Sequence, residues 1–466
     1  MIDPMTGRFR ALLAALVVIL IAAAGAAYAL TRADALRTAE GDDGSLTVAT
    51  TGDVRQYIND SNAQAQLLDV AVNKLETSYY KPVDPQTPAH GETKALDEYL
   101  KAKHVSNVSL PNTENVAQIL SFAQSHYGSH LGTNASTDLT ETALRGVMDS
   151  VNDPYTVYLS PKEIQGLQES LSGGNFGGIG VYIYQLKDGQ VIVQPIEDLP
   201  AARAGMKPGE VVDAVNGKPV KGMTLDRVEQ LIRGPEGSIV QLRTHPYNRG
   251  GEHTFSITRE VIHVPTVREK MEDGYDYIRL SDFGTTSADE VRKALVDGRA
   301  HGAKGYILDL RNNGGGLLDA AVKISSYFVP HGTIVATIDR QGNRSEEDAL
   351  GTAIGGLQPL VILVNKYTAS ASEITSGALQ DYHLAKLIGT KTFGKGVVQS
   401  IYPMPDAGAL KITTARYVTP LGRDIQHKGI MPDIVVDQPV DPALIDTPND
   451  KQLAVAKATL KQLAQQ

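Results

Sequence analysis

The chain has 466 residues, 42% of them apolar and 21% charged, with a formal net charge of −9 and no cysteine. That length corresponds to about two to four domains of roughly 100–200 residues each, and the composition is that of a chain that buries real cores. The acidic balance leaves no footprint for nucleic acid, and the lack of cysteine excludes disulfides, thiolate metal sites and a cysteine nucleophile.

Arg8 and Arg10 precede an uncharged apolar run from Ala11 to Leu30. At about 1.5 Å per residue this run crosses the ~30 Å hydrocarbon core of a bilayer. It ends in Ala27-Tyr28-Ala29, which resembles a small-x-small cleavage site. Cleaved signal peptides have shorter apolar regions, so an uncleaved single-pass anchor is the preferred reading. Arg32 and Arg37 follow the run, so charge does not orient it. Residues 1–50 are expected to be a cytoplasmic tip, the anchor and a stalk.

Residues 51–165 read as helical. Leu67, Leu68, Val70, Ala71 and Leu75 recur at helical spacing. A Pro-rich break at 82–88 is followed by predicted helices near 93–103, 113–126 and 140–151. Asp153-Pro154-Tyr155 ends the last, because the residue before proline avoids the helical region. From Gly173 a glycine-rich stretch leads into alternating Val181-Tyr182-Ile183-Tyr184, with Asp188-Gly189 as a hairpin signal. Short strands and two helices, one near 201–204 and one near 224–232, complete a domain expected over 166–262. From 263 to 440 strands and helices alternate, which indicates an α/β core, and 441–466 reads as a helical tail.

Three segments carry candidate chemistry. Thr368-Ala369-Ser370-Ala371-Ser372-Glu373 sits between a buried strand and a helix, where free N–H groups and the positive dipole end suit an oxyanion. Ser370 with Glu373 also fits a capping box, with no catalytic meaning. In Phe393-Gly394-Lys395-Gly396 the lysine is either a buried base with a lowered pKa or a surface residue on a hairpin. Asp309-Leu310-Arg311-Asn312-Asn313-Gly314-Gly315-Gly316 could aim N–H groups at an oxyanion; a phosphate cradle is weak because Leu317-Leu318 follows, not Lys-Ser/Thr.

In this order the segments resemble the carboxyl-terminal processing proteases, PDZ-containing serine proteases of the tail-specific type. Their signatures are a DLR-N-x-GG loop, a SASASE segment and an FGKG-x-x-Q segment. The resemblance also takes in Asp153-Pro154-Tyr155-Thr156, Gly178-Ile179-Gly180, the 231–237 segment and Gly429-Ile430-Met431-Pro432-Asp433, and spans roughly 140–438. It implies a multidomain α/β protein: a crotonase/ClpP-like protease core, an inserted PDZ domain, mostly β with two helices, and a helical N-terminal region. It implies Ser370 as nucleophile, Lys395 as general base and Gln399 as the residue orienting Lys395. The oxyanion hole falls on the Ala371 N–H and a loop glycine, Gly316, with Gly315 the alternative register. Thr368 stands where serine is usual, and the stretch from about 82 to 140 departs from minimal members.

The PDZ resemblance implies that extended peptides add to a strand beside Gly178, Ile179, Gly180 and Val181, with the terminal carboxylate in a backbone nest. Arg233 matches an arginine that links the PDZ domain to the core, and is equally readable as a surface arginine. The implied function is extracytoplasmic serine endopeptidase activity near substrate C-termini, at the cell membrane, with the PDZ domain governing access. Partners are protein substrates with accessible tails and the membrane, with a homo-oligomer or adaptor protein left open. No cofactor and no metal are expected: His126 and His130 are spaced i, i+4, but Gly128 lies between them and no carboxylate accompanies them. The rival readings are a Ser-His-Asp hydrolase using a histidine such as His383, and a non-catalytic PDZ scaffold.

Overall fold

The computed structural model describes residues 61–465, apart from 172–175, 187, 197, 248–250, 263–264, 355–358, 407 and 441–443. The apolar run of 11–30 lies outside the described residues. Among those described, no helix is long and apolar enough to cross a membrane. The chain divides into two compact units, one formed by residues up to Leu171 together with Thr266–Gln466, the other by Ser172–Pro265. The helix Pro161–Leu171 belongs to the first unit, and its Leu167 is buried in that unit's core. The expected domain start at 166 therefore falls inside a helix.

The first unit is built on a six-stranded sheet. Its strand order is Val267–Glu272, Tyr275–Leu280, Tyr306–Asp309, Leu360–Val364, Ala385–Gly389 and Ile434–Val435. The first pair is antiparallel and the rest are parallel. Both faces are covered, which is why Leu360–Val364 reads as an unbroken apolar run. Ile278, Leu308, Ile362 and Leu387 face a core shared with the helices Ser287–Ala300, Leu318–Ser326 and Ala371–Asp381. Tyr277, Ile307, Val361 and Ile388 pack on Leu453, Ala456 and Leu460 of the helix Lys451–Leu463. The C-terminal segment is thus part of the core. Asp450 caps that helix and pairs with Arg311, both fully buried, while Arg311 also grips Asp309.

A second, five-stranded sheet joins Val157–Leu159, Ala409–Val418, Thr333–Asp339 and Arg344–Asp348, with Val397–Pro403 also on Ala409–Val418. The helices Ser61–Ser78, Thr87–Ala102, Val116–Tyr127 and Ala135–Asp149 share a core with Leu410 and Ile412 of this sheet. The expected break at 82–88 ends earlier than predicted, because Pro88 is accommodated in a helical first turn, where its missing N–H costs nothing. Gly91 and Gly146 let two of these helices touch; a Cβ on Gly91 would lie 2.3 Å from the Gly146 carbonyl oxygen. Val116–Tyr127 stops before Gly128, so His126 and His130 do not share a helix face.

The second unit is an antiparallel sheet in the order Val181–Gln185, Val191–Pro195, Glu210–Val215, Ile239–Pro246 and His253–Thr258, with helices Pro200–Arg203 and Leu225–Ile232. Val193, Val212, Val228, Val240 and Leu242 form its core. Among the described residues, Val181–Gln185 pairs only with Val191–Pro195 in this sheet, which leaves its other edge open.

Candidate active site

The parallel strands Tyr306–Asp309 and Leu360–Val364 are neighbours, so their C-terminal ends deliver two loops to one place, where open α/β sheets form their binding crevices. The loops are pinned together. Asn365 Nδ2 donates to Asn312 Oδ1, the Ala369 N–H to the Asn313 carbonyl, and the Thr368 hydroxyl to the Leu310 carbonyl. Thr368 therefore acts as a strut, and its side chain is fully buried.

Ser370 closes the second loop, immediately before the helix Ala371–Asp381. It is 0% exposed, with φ 61° and ψ −120°. An N-cap serine normally has extended backbone and points its hydroxyl at the first turn. Here the positive φ swings the side chain away, and Oγ has no hydrogen-bond partner among the described residues. The Ser370 N–H donates to Glu373 Oε2 at 2.9 Å, and the Glu373 N–H donates to the Ser370 carbonyl at 2.7 Å. Such a backbone costs about 1–3 kcal/mol for a residue with a Cβ. The neighbouring Ser372 is engaged, its hydroxyl donating to the Asn313 carbonyl.

Lys395 is 1% exposed. Its Nζ lies 4.6 Å from the centroid of the Tyr155 ring. Burial, then the nearby Lys411 charge, pulls its pKa down to about 7, against smaller opposing effects of Asp153 and Glu373. Its N–H donates to Glu373 Oε2 at 2.9 Å. Glu373 accepts in addition from Gly394 N–H and the Thr392 hydroxyl on Oε1. Burial pushes Glu373 upward, opposed by these four donors; donors on both oxygens are what an ionised carboxylate accepts. The Tyr417 hydroxyl donates to the Lys395 carbonyl and lies 3.2 Å from that of Ser370. Gln399 is also buried; its Nε2 donates to Thr413 Oγ1 at 3.3 Å, and Oε1 has no partner among the described residues.

Ala371 opens the helix, so its N–H has no intrahelical acceptor. Gly315 packs on Ser370, a Cβ there lying 2.7 Å from Ser370 Cβ. Its N–H is taken by Asn313 Oδ1 and its carbonyl by Phe283. Gly316, at φ 148°, packs on the Phe283 carbonyl, and neither of those two bonds uses its N–H. His383 lies beyond the far end of the helix from Ser370, and the 11 residues of that helix span about 16 Å at 1.5 Å per residue.

Residues 274–436 match the model of Peptidase family S41, and 191–244 that of a PDZ domain. A carboxyl-terminal-processing protease of Synechocystis sp. is 39% identical over 324 residues, which is 68% of this chain and 76% of the relative. The chain belongs to peptidase family S41. A carboxy-terminal-processing protease of Bartonella bacilliformis is 38% identical, covering 65% of this chain and 70% of that protein. A solved photosystem II D1 C-terminal processing protease is 28% identical with a TM-score of 0.47, over 84% of this chain and 97% of that one. The family is one of serine-type peptidases, so the scaffold reading falls.

In the PDZ unit, a cleft of about 320 Å³ runs between the open-edged strand Val181–Gln185 and the helix Leu225–Ile232. Ile179, Val181, Ile183, Leu225 and Ile232 line it, with Gly178 and Gly180 at the strand's start. Arg233 also lines the cleft and pairs with Glu229 one turn earlier.

The motif reading singled out Ser370, Lys395 and Gln399 but treated Glu373 only as a cap, and passed over Tyr417 and Lys411. One available signal was Lys411 itself, a charge at a position flanked by Leu410 and Ile412 in the strand Ala409–Val418.

Proposed function

We propose that this S41 peptidase cleaves protein substrates near their C-termini with Ser370 as nucleophile and Lys395 as general base. The observation that carries the reading is the Ser370 side chain: buried, strained in backbone and with its hydroxyl unused, at a helix N-terminus. Neutral Lys395 takes the Ser370 proton as Oγ attacks the scissile carbonyl. The Ala371 N–H and a Gly316 N–H stabilise the oxyanion. Lys395 then returns the proton to the leaving amine, and the acyl-enzyme is opened by water that Lys395 deprotonates. Gln399 steadies the lysine through its unpartnered Oε1.

The PDZ cleft binds the substrate tail as an added strand on Val181–Gln185, with the carboxylate at Gly178–Gly180, and so governs access. The apolar run of 11–30 anchors the chain with the catalytic part outside the cytoplasm. The triad reading lacks support, because His383 stands at the opposite end of the helix from Ser370.

A substrate with an apolar C-terminal tail tests the proposal. Wild type should release tail fragments identifiable by mass spectrometry, and Ser370→Ala and Lys395→Ala should release none. Normal cleavage by either variant would refute the dyad. A reporter active only in the cytoplasm, fused after Gln466, should be silent; an active one would refute the topology. Deleting 173–262 should change tail-dependent cleavage, and an unchanged rate would remove the PDZ domain from the account.

A further inference from the structure

We propose that Lys411 is a positioning residue for the reaction, a second buried cation that keeps Lys395 in its neutral, proton-accepting form, with Asp153 moderating its effect. The proposal rests on Lys395 being the base.

Lys411 lies in Ala409–Val418, between Val157 on one side and Ile401 on the other, and is 5% exposed. Thr413, two residues on, shares its face of the sheet. Thr413 receives Gln399 Nε2 on its hydroxyl and gives its N–H to Thr156 Oγ1. The Thr156 hydroxyl donates to Asp153 Oδ2, and Asp153 Oδ1 accepts the Tyr155 N–H. The Tyr155 ring lies beneath Lys395 Nζ. One buried polar cluster therefore runs from Lys395 through this turn to Thr413, and Lys411 stands two residues from Thr413 on the same face of the strand.

A buried lysine is costly unless paired, and the charge that acts on Lys411 is Asp153. Lys395 faces Lys411 from the strand, Asp153 and Tyr155 from the turn, Glu373 from the helix and the Tyr417 hydroxyl at its carbonyl. Burial brings Lys411 down to about 8, above the value of about 7 for Lys395. Like charges in a poorly screened interior repel, so the charge on Lys411 opposes a second on Lys395. A residue that merely filled space would not move a titration.

The test is the pH dependence of kcat/KM on a quenched-fluorescent peptide, with folding checked by thermal unfolding. Lys411→Met should move the acid limb up by about one pH unit, an about tenfold loss on that limb, with the rate recovered at alkaline pH. Lys411→Arg, which keeps the charge, should leave the limb in place. Asp153→Asn should move it down. An unmoved limb in folded Lys411→Met, or shifts in the same direction for Lys411→Met and Asp153→Asn, would overturn the proposal. If Lys411→Met does not fold, Asp153→Asn decides alone, and an unmoved or raised limb refutes it. Activity retained by Lys395→Ala would instead refute the assignment of the base.

Discussion

Ser370 and Lys395 are joined twice through their backbones: their N–H groups both donate to Glu373 Oε2, each at 2.9 Å, and their carbonyls both face the Tyr417 hydroxyl. The relative placement of the two residues is thus set by groups other than their own side chains. Side-chain chemistry can be removed without disturbing this frame, and the frame can be disturbed while both side chains remain.

Glu373→Gln tests the frame. An amide has one acceptor oxygen, and its NH₂ must face backbone N–H donors on one side. Unmade buried hydrogen bonds cost about 1–3 kcal/mol each, so the variant should lose about 2–4 kcal/mol on denaturant unfolding. Its kcat should fall at least about 100-fold, as expected when reacting groups shift by around an ångström. Unchanged stability and kcat would mean that Glu373 is only a cap.

Ser370→Gly tests the strain. Glycine adopts positive φ without penalty, so the variant should be inactive yet more stable by about 1 kcal/mol. Thermal unfolding reads this directly, and a lower midpoint would show that the backbone at Ser370 is not strained.

Asp450→Ala tests the place of the C-terminal segment. It leaves Arg311 with less than its full complement of partners in a fully buried site. Breaking such a pair costs about 3–5 kcal/mol. A loss under 1 kcal/mol in denaturant unfolding would show that the helix Lys451–Leu463 is not integral to the core.

Leu225→Asp tests the cleft. A carboxylate in the cleft lined by Ile179, Ile183 and Ile232 should weaken cleavage of a substrate with an apolar C-terminus about tenfold or more through KM. Hydrolysis of a short blocked peptide should be unaffected. Equal loss on both substrates would place the effect outside tail recognition.

The motif segments, the fully buried strand Leu360–Val364 and the open-edged strand Val181–Gln185 were legible because local pattern decided each of them. Ser370 was legible only as a choice between cap and nucleophile, because the sequence does not reveal its φ. Lys395 was ambiguous for a similar reason: it packs on Tyr155 and Tyr417, distant in sequence. The role of Asp450 could not be read, since it depends on Arg311 across the fold. Pro88 misled the reading of a break, because a proline in a first turn and a proline between helices look alike locally. Likewise Thr333–Asp339 reads as one more core strand, but its edge pairs with Ala409–Val418 in the second sheet.

Mapping a fluorophosphonate adduct as a function of pH measures the central claim most directly. A neutral Lys395 must activate Ser370, so labelling requires loss of the lysine proton. It should therefore be slow below the value of about 7 that burial imposes and rise as pH increases through it. The same group also makes the fold more stable as pH rises from about 7 towards its ordinary value of 10.5, where the unfolded chain binds the extra proton. The account predicts a single adduct on Ser370, formed with that pH dependence and abolished in folded Lys395→Ala. An adduct on Ser372, or labelling of Ser370 that proceeds at the wild-type rate without Lys395, would contradict it.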